Sequence, residues 1–337
     1  MDRYHHAIDS ALRAAVLHSP TSFSWFGQKN APLSRSVKKA LTPRTARSYL
    51  LVQLQMQLYS DFYRQGFAAP ASRDVAGVPA MGRTPFVDAL SEANCGQGSW
   101  EDGWEVSAIA GNQLTVRRDG LSLLVRREDC LARGAGAPEV GAPCALRLSS
   151  ECLNISPGFY MVHSDRPFIV ERAQTMVRFY WNLTADGAPR FVAAATRLLN
   201  GRDLPFRLKV LKEQAHYTRC DAGVLYIRKR DYEAVAALLP DVYRAIDGRL
   251  RPGVPAFTKL LAPGVGLAED PGQGDSFGQH RCRLLADSMI VAYEQGQKSR
   301  NERMQTVAER FAQDGILLDE PFLNAGSIDE YQLEMNA

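Results

Sequence analysis

Cysteine is scarce in this sequence: six in 337 residues, at positions 95, 130, 144, 152, 220 and 282, with no C-x-x-C pair and no histidines at ligand spacing. That scatter excludes the familiar zinc sites and a disulfide-built scaffold, and predicts reduced thiols with structural roles. Long apolar runs are missing as well. None reaches the roughly 20 residues that a membrane helix needs. The start, MDRYHHAIDSALRAAVLHSP, carries Asp2 and Asp9 and no continuous apolar stretch, so it does not read as a secretory signal. The expectation is a cytoplasmic protein with no membrane partner.

Charge of one sign is absent too: 40 Lys and Arg face 37 Asp and Glu, a net +3, which gives no overall electrostatic case for nucleic acid. No G-x-S-x-G elbow supports a serine hydrolase. In GVGLAE, Glu269 stands where a nucleotide-binding G-x-G-x-x-G wants its third glycine, and Pro263 and Asp270-Pro271 suit turns better than a phosphate cradle. DSFG at Asp275 and HRC at His280 resemble kinase motifs only superficially. No cofactor and no metal are expected.

What is present is an ordinary globular composition, 45% hydrophobic and 23% charged, over a length that allows two or three domains. LTPRTARSYLLVQLQMQLYSDFYRQG is the strongest helix, with Thr42 to cap, Pro43 at the first position, Gly66 to close, and Leu50, Leu51, Leu54, Leu58, Phe62 and Tyr63 at helical spacing. Its basic start at Lys38, Lys39, Arg44 and Arg47 reads either as solvated surface or as a contact for a leader peptide or acidic partner. A Gly-, Pro- and Ala-rich stretch from Phe67 to Arg83 follows, as ordered loop or linker. From Trp100 the period changes to two, broken by Gly-Asn and Asp-Gly turns, which predicts hairpins, with Trp100 and Trp104 as core plugs.

Beyond SPGFYMV, strands alternate with helices: MVRFYWNL, PFRLKVL and AGVLYI read as strands, GAPRFVAAATRLLN and DYEAVAALLPDVYRAI as helices. A long Gly-rich loop, APGVGLAEDPGQGDSFG, then leads into HRCRLLADSMIVAYEQG and a last helix, NERMQTVAERFAQDG. The fold class is therefore α+β: an N-terminal helical region (1–97), a small antiparallel β-barrel or sheet (98–153) and a mixed α/β domain (154–337).

The chemistry-bearing residues gather in that last region. Within PFRLKVLKEQAHYTRCDAGVLYIRKRDY, residues 205–232, lie Lys209, Lys212, His216, Arg219, Arg228, Lys229 and Arg230. Phe206, Leu208 and Val210 alternate with Arg207 and Lys209, so both cations leave one face of a strand, and Arg178, Tyr180 and Asn182 share a face of theirs. Lys259 precedes the Gly-rich loop. The loop delivers Ser276 and Gly278 to a helix start beside His280, Arg281 and Arg283, where free N–H groups and the dipole favour an anion. Together these point to an anionic ligand, most simply a phosphate, whereas each cation taken singly is equally a salt-bridged surface residue. His163, His216 and His280 each read as a general acid or as a structural histidine.

GFY at 158–160, RFYWNL at 178–183, PFRLKVL, RCDAGVLYI, FTKLLAPGVGLAEDPGQGDSFGQHRCRLLAD at 257–287 and the tail LNAGSIDEY together resemble the HopA-type effector family over roughly residues 155–331. The family is named for a type III effector of plant pathogens and also occurs in bacterial peptide-modification gene clusters. Members in class V lanthipeptide and thioamitide pathways are regarded as lyases: a kinase-like phosphotransferase partner phosphorylates Ser or Thr of a precursor peptide, and the lyase eliminates phosphate to leave dehydroalanine or dehydrobutyrine. The resemblance thus implies a phosphoserine/phosphothreonine lyase whose partners are a phosphorylated precursor peptide and that phosphotransferase. Chemistry then suggests roles. A lysine of lowered pKa serves as base, Lys209 first and Lys259 second; Arg178, Arg219, Arg281 and Ser276 bind phosphate; and His280, His216 or Tyr180 acts as general acid. The alternative is a non-catalytic adaptor or effector that binds peptide or protein.

Overall fold

In the computed structural model, residues 3–66, 83–134, 136–171, 174–272 and 274–333 are described; most of the Gly-, Pro- and Ala-rich stretch expected as loop or linker, 67–82, lies outside them. The chain opens with helix α1 (Arg3–Ala14) and, against the expectation of helices alone, a three-stranded sheet of β1 (Ala15–Ser19), β2 (Ser22–Trp25) and β3 (Gln28–Lys29). Its second turn is Phe26-Gly27, with φ of 47° and 78°, the doubly left-handed geometry that matches strand twist in a two-residue hairpin. Helices α2 (Arg35–Ala40), α3 (Pro43–Leu58) and α4 (Pro85–Ala93) follow. Thr42 caps α3 in a reciprocal capping box with Thr45. Leu50, Leu54 and Leu58 form its buried stripe, which a π-helical turn at Tyr59–Tyr63 extends to Phe62 and Tyr63.

A second, open antiparallel sheet contains β4 (Ser99–Ala110), β5 (Gln113–Arg118), β6 (Leu121–Arg126), β7 (Cys130–Ala132) and β8 (Pro143–Leu148), in the order β6-β5-β4-β8-β7. It is a sheet and not a closed barrel. Trp104, Val106, Leu114, Val116, Cys144 and Leu146 make its own small core. Trp104 is buried as expected, but Trp100 is 39% exposed. A bulge between Glu101 and Trp104 inserts one residue into β4 and reverses which face the residues before it occupy.

The third sheet has seven strands, every neighbouring pair antiparallel, in the order β14-β15-β11-β13-β12-β10-β9. In chain order its parts are β9 (Glu151–Cys152), β10 (Phe159–His163), β11 (Met176–Trp181), α5 (Gly187–Asn200), β12 (Arg207–Leu211), β13 (Gly223–Arg228), α6 (Tyr232–Ala236), α7 (Leu239–Ala245), β14 (Lys259–Ala262) and β15 (Val265–Glu269). Then come α8 (Phe277–Glu294) and α9 (Arg300–Gln313). The single helix expected over 231–246 is divided, because Pro240 cannot continue α6 and sits instead in the first turn of α7. Half of the expected Gly-rich loop is also a hairpin: Pro263-Gly264, with Gly264 at φ 79°, turns β14 into the fully buried β15, and among the described residues only 270–272 and 274–276 remain loop.

One sheet face is covered by the helices that follow the strands. Trp181 packs on Phe191 of α5 at 4.8 Å between ring centroids, and Phe179 stacks on Tyr232 of α6 at 6.0 Å. The other face meets α8 and the π-helical turn, where Phe277 and Tyr63 lie 6.3 and 6.4 Å from Tyr180. Leu50, Leu54, Leu58 and Phe62 of the N-terminal region therefore belong to the same hydrophobic core as Phe179 and Leu267. Among the described residues no helix is long and apolar enough to cross a membrane.

Candidate functional site

Register sets the site. In antiparallel ladders directly opposed residues share a face, and two cross-strand rows run side by side over β10, β12, β13, β11 and β15. One is Met161–Lys209–Val224–Tyr180–Gly266; the other is His163–Arg207–Tyr226–Arg178–Ala268. The alternation read in RLKV and RFYWN thus brings Lys209, Arg207, Arg178 and Tyr180 onto one face. Strands that are far apart in sequence converge there.

Aromatic rings form the floor. The Lys209 ammonium lies 4.4 Å from the Phe159 ring centroid and 5.5 Å from that of Tyr226. The Arg219 guanidinium stands 5.5 Å from Phe159, and that of Arg178 stands 5.2 Å from Tyr226. Arg178 is buried and paired with Asp270, its Nε donating at 2.6 Å. Arg219 makes a fork to Asp221, Nε to Oδ1 at 2.7 Å and Nη2 to Oδ2 at 2.6 Å. Burial opposes the Asp221 charge, but Arg219, Arg64 and Lys209 outweigh it and hold its carboxyl below the ordinary range. Lys209 itself has no salt bridge among the described residues.

Arg64 is the member that sequence reasoning missed. It follows the π-helical turn, and its carbonyl accepts the N–H of Cys220 at 2.8 Å, which fixes it beside Arg219. Its Nε is buried without a hydrogen-bond partner. Burial depresses its pKa and nearby Arg219 depresses it further, with Asp221 and, more weakly, Asp61 acting against them. Three cations, Arg64, Lys209 and Arg219, therefore crowd one buried carboxylate, and the surplus is positive. Nothing local marks Arg64 in the sequence, where it is one arginine at the end of an amphipathic helix. Asp221, also missed, lies two residues after Arg219 in the turn that leads into β13. So was Tyr226, because its neighbours depend on strand order.

Tyr180 lies in the Lys209 row with its hydroxyl buried close to Tyr63 and Arg178. Burial raises its pKa, which keeps the proton on, while Arg178 works the other way. Tyr59 is stacked on Tyr63 at 5.3 Å and is pushed by burial up to about 12. His216 sits in a turn of the β12–β13 connection that also carries Arg219, 3.8 Å from Glu213.

The remaining expected residues lie elsewhere. Lys259 opposes Leu267 and so leaves the other face of the sheet, four strand spacings or about 19 Å from β12; it pairs with Asp329. Arg281 is fully buried, donating from Nε to Pro321 O at 2.7 Å and from Nη2 to Leu323 O at 2.7 Å, with Nη1 2.8 Å from His280 Nδ1. Burial, with Arg281 and Arg283 adding, brings His280 down to about 4. Ser276 is spent as the α8 cap, accepting from the Gln279 N–H at 3.3 Å. The first turn of that helix is sealed: a Cβ on Gly278 would lie 2.3 Å from the Tyr63 ring. The LNAGSIDEY tail is pinned by Glu269, which accepts from Tyr331 Oη at 2.6 Å and the Asn324 N–H at 2.8 Å. Among the described residues no His, Cys, Asp and Glu cluster is fit for a metal ion.

Residues 151–323 match the HopA1 effector protein family. Among solved structures, the effector protein from Pseudomonas syringae pv. tomato strain DC3000 is similar at 13% identity and a TM-score of 0.46, over 82% of this chain and 95% of that one. The effector protein from Pseudomonas syringae pv. syringae strain 61 is similar at 13% identity and a TM-score of 0.44, over 82% and 96%. No curated protein matches the chain.

Proposed function

The chain belongs to the HopA1 effector protein family, and from that premise we propose that it is a phosphoserine/phosphothreonine lyase acting on a phosphorylated precursor peptide supplied by a kinase-like phosphotransferase. The observation that carries this reading is the surplus of positive charge around Asp221, where Arg64 joins Arg219 and a Lys209 without a salt bridge among the described residues, the last two standing over the Phe159 ring. A doubly charged phosphate monoester answers that surplus, whereas a neutral peptide leaves it unanswered.

In the elimination, Lys209 takes the Cα proton of the phosphoresidue. The electron pair left on carbon forms the Cα–Cβ double bond as the Cβ–O bond breaks, and phosphate leaves with those electrons. Arg64 and Arg219 hold the charge that grows on the departing oxygen. Asp221 keeps Arg219 oriented by its fork, and Asp270 does the same for Arg178. Tyr180, one strand beyond Val224 in the Lys209 row, supplies the proton that completes the leaving group. Aromatic surroundings keep water away from the carbanion-like transition state.

The test is direct. Purified protein mixed with a phosphothreonine peptide, without ATP or metal, should release inorganic phosphate and leave an alkene that adds a thiol. Return of plain threonine would make the protein a phosphatase. Tight phosphopeptide binding without turnover would favour a non-catalytic adaptor.

A further inference from the structure

A cleft of about 370 Å³ opens between the five-stranded and seven-stranded sheets, and Arg207, two residues from Lys209 on β12, lines it. Glu101 and Leu148 line it from the small sheet; His163, Phe168, Ile169 and Arg207 line it from the other side. We propose that this cleft holds the peptide segment flanking the phosphorylated residue, receiving an acidic side chain at Arg207 and an apolar one against Phe168 and Ile169. The inference rests on the reading of the Lys209 cluster as a phosphoresidue site.

Strand geometry supplies the measure. Arg207 and Lys209 leave the same face of β12 two residues apart, about 6.7 Å, and an extended peptide advances by the same amount in two residues. A substrate whose phosphoresidue faces Lys209 therefore brings its second neighbour over Arg207, and the residues beyond enter the cleft. Arg207 is exposed and has no salt bridge among the described residues; its guanidinium lies 5.2 Å from the Phe168 ring centroid, so its edge donors stay open to a carboxylate. The carboxylate of the cleft does not compete, because Glu101 is already bonded to Arg118 at 3.1 Å. Ile169 is 64% exposed beside Phe168, an apolar rim that an aliphatic side chain would cover. The small sheet thereby gains a part in substrate selection through Leu148.

The experiment uses the full chain and short phosphothreonine peptides with neutral flanks. Comparison peptides carry glutamate about two residues from the phosphoresidue and leucine about two further on, either before it or after it. Each is also made unphosphorylated. One flanked series should bind about tenfold tighter than the neutral peptide and lower KM at unchanged kcat. Arg207→Ala should abolish the glutamate preference and Arg207→Lys should restore part of it, while Phe168→Ala should remove the leucine preference alone. Equal affinity for all phosphopeptides, with unphosphorylated ones still rejected, would overturn the cleft assignment and leave the lyase reading standing. Failure to distinguish phosphorylated from unphosphorylated peptide would overturn both.

Discussion

The carbonyl of Arg64 accepts the backbone N–H of Cys220 at 2.8 Å, and that one bond places a guanidinium from the N-terminal helical region beside Arg219. A residue outside the matched span 151–323 thus stands in the cation cluster of the family domain. Replacing either arginine should accordingly damage the same property. Arg64→Ala and Arg219→Ala are each expected to weaken phosphopeptide binding roughly 10- to 100-fold, the equivalent of a charge-assisted bond of about 1.5–3 kcal/mol. Affinity for the unphosphorylated peptide should hardly move. Anisotropy titrations at fixed ionic strength check this, since salt weakens exposed charge contacts whatever their role; equal losses for both peptides would mean general steering.

Lys209 and Lys259 separate the proposed base from its rival. Lys209→Ala should slow phosphate release by about 10²–10⁴-fold, the usual worth of a general base, while phosphopeptide still binds. Lys259→Ala, on the opposite sheet face and paired with Asp329, should leave the rate unchanged and affect only stability. A Lys209 variant with native turnover would remove the lysine-base mechanism.

Arg281 should behave as a core residue. Arg281→Met leaves the carbonyls of Pro321 and Leu323 without their donor, and buried polar groups left unpaired cost about 1–3 kcal/mol each. Urea unfolding should therefore register a loss of roughly 3 kcal/mol, and the folded fraction should still discriminate phosphopeptide as well as the native protein does. Lost discrimination at unchanged stability would return Arg281 to the phosphate site.

The pH dependence of stability follows from His280. Burial brings it to about 4 in the folded chain, against about 6.5 when unfolded. The unfolded state then binds more protons, so this contribution is full above about pH 6.5 and is lost as pH falls toward 4, by roughly 3 kcal/mol in all. His280→Gln should lose less stability than the native protein between pH 7 and 4.5. Carboxylates titrating in the same range affect both proteins alike, and parallel losses would refute the assignment.

Local chemistry gave most of the elements. Thr42-Pro43 and Gly66 bracket α3 with its π-helical turn, the Asp-Gly and Gly-Asn turns delimit hairpins, and alternation in RLKV and RFYWN put each pair of polar side chains on one face, because those signals act within a few residues. The same locality misled where longer contacts ruled. VGLAE sits in a glycine-rich run but is a fully buried strand, since β11 and β14 supply its partners on both sides. Ser276 and Arg281 carry the residue types of an anion site, yet one caps its own helix and the other bonds the C-terminal tail. Lys209 and Lys259 look equivalent as isolated lysines. Strand order and register set them on opposite faces, the Arg64–Cys220 backbone bond brought Arg64 from a distant helix end to Asp221, and no residue's immediate neighbours encode that arrangement.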